Sequence, residues 1–266
     1  MTRGVFPDLD RASALVADRG GLLGRPLHLL ATTTSTNDLA LHAAKIGAPH
    51  GATWLSEQQT AGRGRRGRSW SSVPGESLLF SVLLRVSCPA TRLPCIALLA
   101  GLAVRDAAAA AAPGVRVGIK WPNDVVTGGR KLAGVLVEAV TRGSRVEAVA
   151  VGIGINVHTR TFPADIEDRA TSLALAAQAH PPDRAAIFAD TLAALDRDLE
   201  VVLSRGLGLV RARLEAADDL RGRHVRSDTG DSGLACGIDD EGRLVIRREN
   251  GEMARLGSGE VHLGAS

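Results

Sequence analysis

From Val115 onward, three runs rich in valine and isoleucine follow one another with only short turns between them: Val115 to Trp121, Lys131 to Val140 and Val146 to Val157. A parallel pair needs a crossover of a dozen or more residues, so runs this close together must pair as antiparallel neighbours. The Gly-Gly of Thr127-Gly128-Gly129-Arg130 favours a hairpin in the middle of the series, and Arg142 to Ser144 supplies the next turn. The chain is therefore committed to a sheet, and the helices must fit around it.

The preceding residues supply further elements. Asp8 to Arg19 and Thr36 to Ile46 have helical spacing, Ala52 to Gln58 and Ser77 to Val86 read as strands, and Pro94 to Ala112 reads as an Ala/Leu-rich helix. Arg105 and Asp106 inside that last run argue for a buried helix and against a membrane span. Two helices are expected at Asp183 to Ser204, with Ile187, Thr191, Leu195, Leu199 and Val202 on one face, and at Leu209 to Ala217. After Asp219, short strands alternate with Gly and Asp: His224 to Ser227, Leu234 to Ile238, Arg243 to Arg248 and Met253 to Leu256. That pattern reads as a small separate β-barrel.

Composition excludes several classes. A hydrophobic share of 45% and a charged share of 23% fit a globular chain, and a net charge of +3 is too small to mark a nucleic-acid surface. Three cysteines without a C-x-x-C spacing argue against a disulfide framework or zinc knuckle and fit a reducing compartment. Met1 to Arg19 is interrupted by Pro7, Asp8, Asp10 and Asp18 and so lacks a secretion signal, which gives a cytoplasmic expectation.

Three places carry chemistry. Gly62-Arg63-Gly64-Arg65-Arg66-Gly67-Arg68 formally matches G-x-G-x-x-G, but no helix begins at its third glycine, so it is not a dinucleotide fingerprint. It is a glycine loop with four guanidiniums, each suited to phosphate or carboxylate oxygens, and their mutual repulsion should hold the free loop open. An Arg/Gly tract can also be a solvated loop or an RNA-binding segment. The basic residues number 29 Arg against only Lys45, Lys120 and Lys131. Lys120-Trp-Pro-Asn-Asp124 and Lys131-Leu-Ala-Gly134 put two of the three on what reads as one pair of strands. Asp124 has the chemistry to hold Mg²⁺ with the help of substrate phosphates. Val151-Gly-Ile-Gly-Ile-Asn156 leaves one strand face bare at Gly152 and Gly154, where either a flat ligand or a packed helix could lie.

Together with Thr34-Ser35-Thr36-Asn37 and Gln58-Gln-Thr-Ala-Gly62, these blocks resemble biotin protein ligases in order, spacing and wording across roughly residues 25 to 160. The resemblance implies an α+β fold. Residues 1–218 would form a class II synthetase-like catalytic domain, a mixed β-sheet with helices on one side, and residues 219–266 a small SH3-like β-barrel. It also implies that MgATP and biotin give biotinoyl-5′-AMP, from which biotin passes to a lysine of a biotin carboxyl carrier domain. Ser35, Thr36, Asn37 and Gln58 would contact biotin's ureido end, with Gly152 and Gly154 beside its rings. Gly62, Arg63, Gly64 and Arg65 would surround its carboxylate, with Lys131 between that carboxylate and the α-phosphate. Arg65, Arg68, Trp70, Asn123, Lys131 and Asn156 would meet the nucleotide, and Asp124 the metal. Lys131, Arg63 and Arg65 would carry the catalysis.

Some bacterial relatives begin with a winged helix-turn-helix, but here the ligase pattern starts by about Gly24, so no DNA binding is expected. A monomer or weak homodimer without membrane attachment is expected as well. Lipoate protein ligase shares the fold and chemistry, but its Arg-Arg-x-Ser-Gly-Gly-Gly type of loop is missing here. A biotin sensor or an RNA-binding protein is the noncatalytic alternative.

Overall fold

A computed structural model describes residues 7–143, 145–177 and 182–264; Ser144, in the expected turn, lies outside them. The chain opens with two short helices, α1 (Pro7–Asp10) and α2 (Ala12–Arg19), where the sequence suggests one. Strand β1 (Leu27–Thr33), helix α3 (Thr36–Lys45) and β2 (Thr53–Gln59) form a parallel crossover unit, followed by β3 (Ser77–Pro89) and helix α4 (Leu93–Ala111). Strands β4 (Val117–Lys120), β5 (Asp124–Thr127), β6 (Arg130–Arg142) and β7 (Arg145–Asn156) complete a seven-stranded mixed sheet in the order β1-β2-β3-β7-β6-β5-β4.

Strands β1 and β5 were not foreseen. The Gly-Gly turn joins β5 to β6, so β5 stands between the strands of Lys120 and Lys131, which are not direct partners. Four residues following Pro122 carry too little periodicity to be read as a strand on their own.

Alternation along the strands sorts their side chains to two faces. Leu78, Phe80, Val82 and Leu84 of β3 join Val149, Val151, Ile153 and Ile155 of β7 in the main core, beneath α4 and α6 (Arg184–Arg205). Phe80 and Phe188 meet edge to face there, with ring centroids 4.9 Å apart. The 19-residue helix α4 is long and apolar enough to cross a membrane, yet it packs in this core against α6 and the sheet. On the other face α3 sets Ala40, Ala43 and Ala44 against Trp54, Leu83, Ala148 and Ala150. The long helices thus cover one side as expected, while α3, the crossover between the two parallel strands, covers only part of the other.

The Asp183 carboxylate caps α6 by accepting hydrogen bonds from the backbone N–H groups of Ala185 (3.0 Å) and Ala186 (3.3 Å). The next residue, Arg184, is only 2% exposed and donates to both oxygens of the equally buried Glu57, at 2.7 and 2.9 Å, and to Asp8 at 2.8 and 2.9 Å. Burial alone would raise the Asp8 carboxyl, but the guanidinium outweighs it and holds the group below its ordinary range.

After α5 (Leu173–Ala177) and α6, helix α7 (Arg211–Ala217) leads to a five-stranded antiparallel sheet of β8 (His224–Ser227), β9 (Ser232–Ile238), β10 (Leu244–Arg247), β11 (Met253–Leu256) and β12 (Val261–Leu263). Strand β12 is an addition to the expected set. Its Val261, with Val225, Leu244 and Ile246, is continuous with the main core, and the Trp121 indole N–H donates to Gly242 O at 2.9 Å. The second sheet is therefore fixed beside the end of β4, where Lys120 stands.

Candidate active site

The sheet face that α3 leaves uncovered is the floor of a cavity of about 500 Å³. Gly134 of β6 and Gly154 of β7 are cross-strand partners, and Gly152 pairs with Ser81 of β3, so the bare positions form one patch. A Cβ at Gly152 would lie 2.4 Å from Asn37 Oδ1, and one at Gly154 would lie 2.6 Å from the Trp70 indole. Neither position tolerates a side chain, because the Asn37 amide and the Trp70 ring rest directly on the strand. Trp70 does not merely anchor the loop at a distance: its ring is part of the cavity wall.

One end of the cavity is rich in paired donors and acceptors. Gln59 Oε1 accepts from Thr36 N at 2.7 Å and Thr36 Oγ1 at 3.1 Å, while Ser81 Oγ lies 2.7 Å from Thr36 Oγ1 and donates to Asn37 Oδ1 at 2.6 Å. Asn37 Nδ2 donates to Glu138 at 2.7 Å. Ser35, Thr36 and Asn37, all expected here, are brought together at the start of α3 and are buried. Gln58 is not among them, because the glutamine facing the cavity is its neighbour Gln59. Pairing of β2 with β3 ends at Ser56, whose hydroxyl donates to Gln58 O at 2.8 Å, so simple alternation no longer decides which glutamine turns inward.

The glycine loop folds back on itself. Arg63 and Ser69 form a bridge, Gly64 N donates to Arg68 O at 2.7 Å, and Trp70 N donates to Gly62 O at 2.9 Å. Gly62 stays outside the cavity wall, but a Cβ there would meet Trp70 O at 2.5 Å. The four arginines do not hold the loop open as their repulsion suggests, because carboxylates answer three of them. Arg63 donates to Asp38 (2.6 Å) and Glu138 (3.0 Å), Arg66 pairs with Asp228, and Arg68 pairs with Glu260. Arg65 has no ion-pair partner among the described residues. It donates to Asn123 Oδ1 at 3.1 Å and lines the cavity, and burial and then the neighbouring Arg66 charge lower its pKa. A half-buried guanidinium of this kind is a ready anion site, whereas Arg63 is already neutralised.

Lys131 Nζ lies 2.8 Å from Asp124 Oδ1 and 5.5 Å from the centre of the Trp70 ring. Asn123 beside it donates to Val135 O at 2.7 Å and accepts from Arg65, so Arg65, Asn123, Asp124 and Lys131 form one linked group in the cavity wall. Asn156 lines the wall and donates to Thr171 O at 3.0 Å, which fastens the segment after β7. That segment adds Phe162, Pro163 and Ile166 to the wall, and the sequence reading missed all three. Phe162, one of only four phenylalanines, was the available signal. Glu138 was missed too, since a lone acid in a strand announces nothing until its partners are known. Among the described residues no cluster of three or more His, Cys, Asp or Glu could hold a metal by itself. The single carboxylate of Asp124 suits an ion that arrives with phosphates and keeps most of its own water.

Polar amides, two cations and aromatic side chains lining one cavity suit the joining of a small amide-bearing acid to a nucleotide. The family described as biotin/lipoate A/B protein ligase matches residues 29–156, and the biotin protein ligase C-terminal domain matches residues 222–264. The biotin–[acetyl-CoA-carboxylase] ligase of Mycobacterium tuberculosis is 36% identical over 259 residues, covering 90% of this chain and 90% of that protein. The bifunctional ligase/repressor BirA of Bacillus subtilis is 34% identical over 248 residues, covering 91% of this chain and 75% of that protein. Among solved structures, the biotin protein ligase of Aquifex aeolicus in complex with biotin and ATP superposes with a TM-score of 0.77 at 29% identity, over 90% of this chain and 99% of that one. Sequence and fold agree, and the chain belongs to the biotin protein ligase family.

Proposed function

We propose that the chain activates biotin with ATP as biotinoyl-5′-AMP and passes the biotinoyl group to a lysine of a biotin carboxyl carrier domain in the cytoplasm. The observation that carries the reading is that Lys131 and Arg65, held by the neighbouring residues Asp124 (2.8 Å) and Asn123 (3.1 Å), line one cavity together with Ser35, Thr36, Asn37 and Gln59 and with Asn156 and Phe162. Biotin's ureido group fits the Ser35, Thr36, Asn37, Gln59 and Ser81 end. Its rings would lie against the Trp70 ring and the Asn37 amide that cover Gly154 and Gly152, with its carboxylate toward Lys131, whose ammonium is 5.5 Å from the centre of the Trp70 ring. A carboxylate oxygen then attacks the α-phosphorus and pyrophosphate leaves. The carrier's ε-amine attacks the acyl carbon of the mixed anhydride, loses a proton and displaces AMP. No nucleophile from the chain itself is needed, so catalysis is positioning and charge neutralisation.

Lys131 and Arg65 offset the two anions that must approach one another. Asp124 would hold Mg²⁺ brought by ATP, which screens the phosphates. Asn123 orients Arg65 by accepting its hydrogen bond at 3.1 Å. Arg63, engaged by two carboxylates, fastens the loop and leaves the anion to Arg65.

Isotopic exchange of pyrophosphate into ATP tests the reading. Exchange is expected with biotin and not with lipoate; exchange with lipoate alone would overturn the substrate, and RNA binding without any exchange would favour a noncatalytic protein.

A further inference from the structure

The small C-terminal sheet contributes two carboxylates to the glycine loop, and the ligase reading gives them no role. Asp228 follows β8 and Glu260 precedes β12, and the two are tied to each other. Asp228 N donates to Glu260 O at 3.1 Å, and Glu260 N donates to Asp228 Oδ1 at 3.0 Å. Gly259 permits this approach, since a Cβ there would lie 2.7 Å from Asp228 Oδ1. Asp228 Oδ2 is left for Arg66, and the Glu260 carboxylate for Arg68.

These partners flank the reactive part of the loop. Arg66 stands at φ 59°, a left-handed conformation that disfavours most L-residues and in which glycine or asparagine would be at ease. The position keeps an arginine all the same, and its guanidinium reaches Asp228. Arg65, the carboxylate-free guanidinium of the cavity, is thus anchored on its C-terminal side at both Arg66 and Arg68 by a domain outside the catalytic sheet. Asp38 and Glu138 anchor the N-terminal side through Arg63.

We infer that Asp228 and Glu260 are positioning residues: the C-terminal sheet clamps the glycine loop shut over the acyl-adenylate, setting Arg65 and retaining the reactive intermediate until a carrier lysine arrives. The inference rests on the ligase reading. Asp228 lies outside the cavity wall, and Glu260 lines it with its carboxylate engaged by Arg68, so loss of the clamp should show in retention of the intermediate more than in folding.

The test compares the full-length chain with Asp228→Asn, Glu260→Gln, Arg66→Asn and the Asp228→Asn/Arg66→Asn double variant. The rate at which labelled biotinoyl-5′-AMP leaves the protein is read together with tryptic cleavage at Arg63 to Arg68 and the melting temperature. Partly exposed ion pairs carry modest coupling, so release should accelerate about 2- to 5-fold in each carboxylate variant, with earlier loop cleavage and a melting temperature within about 2 °C of wild type. The double variant should release no faster than the faster single one, since both remove the same contact. Unchanged release and cleavage, or fully multiplicative effects, would overturn the clamp. If the wild-type chain forms no adenylate, the ligase reading itself fails, which is a separate and visible result.

Discussion

Lys131→Ala should lower biotin-dependent pyrophosphate exchange by at least about 100-fold, the scale seen when one preorganised group facing developing charge is removed. The expectation follows from where the ammonium stands. It sits against the Gly134 and Gly154 floor, beside the Trp70 ring and 2.8 Å from Asp124. An acyl-adenylate forms there only if a carboxylate can approach a phosphate, and without Lys131 the Asn123–Asp124 corner of the cavity would keep only the Arg65 guanidinium. The fold should survive, because Lys131 is one-third exposed and its ion pair is not part of the core. Lys131→Arg should recover only part of the rate, since a planar fork cannot replace a compact ammonium at the same point. Near-normal exchange by Lys131→Ala, with an unchanged melting curve, would remove the assigned role.

Arg184→Met should destabilise the chain by about 3–5 kcal/mol, the usual cost of leaving one partner of a buried ion pair uncompensated. Glu57 is 2% exposed and would keep its charge without its guanidinium. For a chain of this size that corresponds to a fall of roughly 10 °C or more in melting temperature, read by calorimetry. Adding Glu57→Gln should restore part of the loss by removing the stranded charge while keeping an acceptor for Gly75 N, which donates to Glu57 at 2.8 Å. The pH dependence has a definite sign. Asp8 is held below its ordinary 3.8 by Arg184, so its share of the stability is fully present above that pH and is lost as pH falls through the lowered value. Arg184→Met should therefore show less acid-side loss of stability than wild type as pH falls below the ordinary 3.8 of Asp8. A melting temperature within 2 °C of wild type would contradict the network's importance.

Much of this was legible in the chain. The glycine pattern at Gly152 and Gly154 has one physical explanation, close approach to a strand, and the structure supplies the occupants as Asn37 and Trp70. The helix of α6 and its buried face followed from residue spacing, because that signal is local. What the sequence did not yield depended on partners distant in the chain. Arg63 and Arg65 are indistinguishable as letters, and only the positions of Asp38 and Glu138 separate a loop fastener from a free cation. Gln58 and Gln59 are likewise equivalent until one knows where β2 loses β3. Strand β5 was hidden because four residues between a proline and a Gly-Gly turn gain their identity from β4 and β6, and correcting it places Lys120 and Lys131 two strands apart while both still line the cavity.

The most direct measurement is the intact mass of a biotin carboxyl carrier domain after incubation with the chain, MgATP and biotin. Biotin transfer predicts a single added biotinoyl group, about 226 Da by mass balance, lost when ATP is omitted or the carrier's target lysine is replaced. An unmodified carrier under conditions where the chain binds biotin and ATP would contradict the central claim.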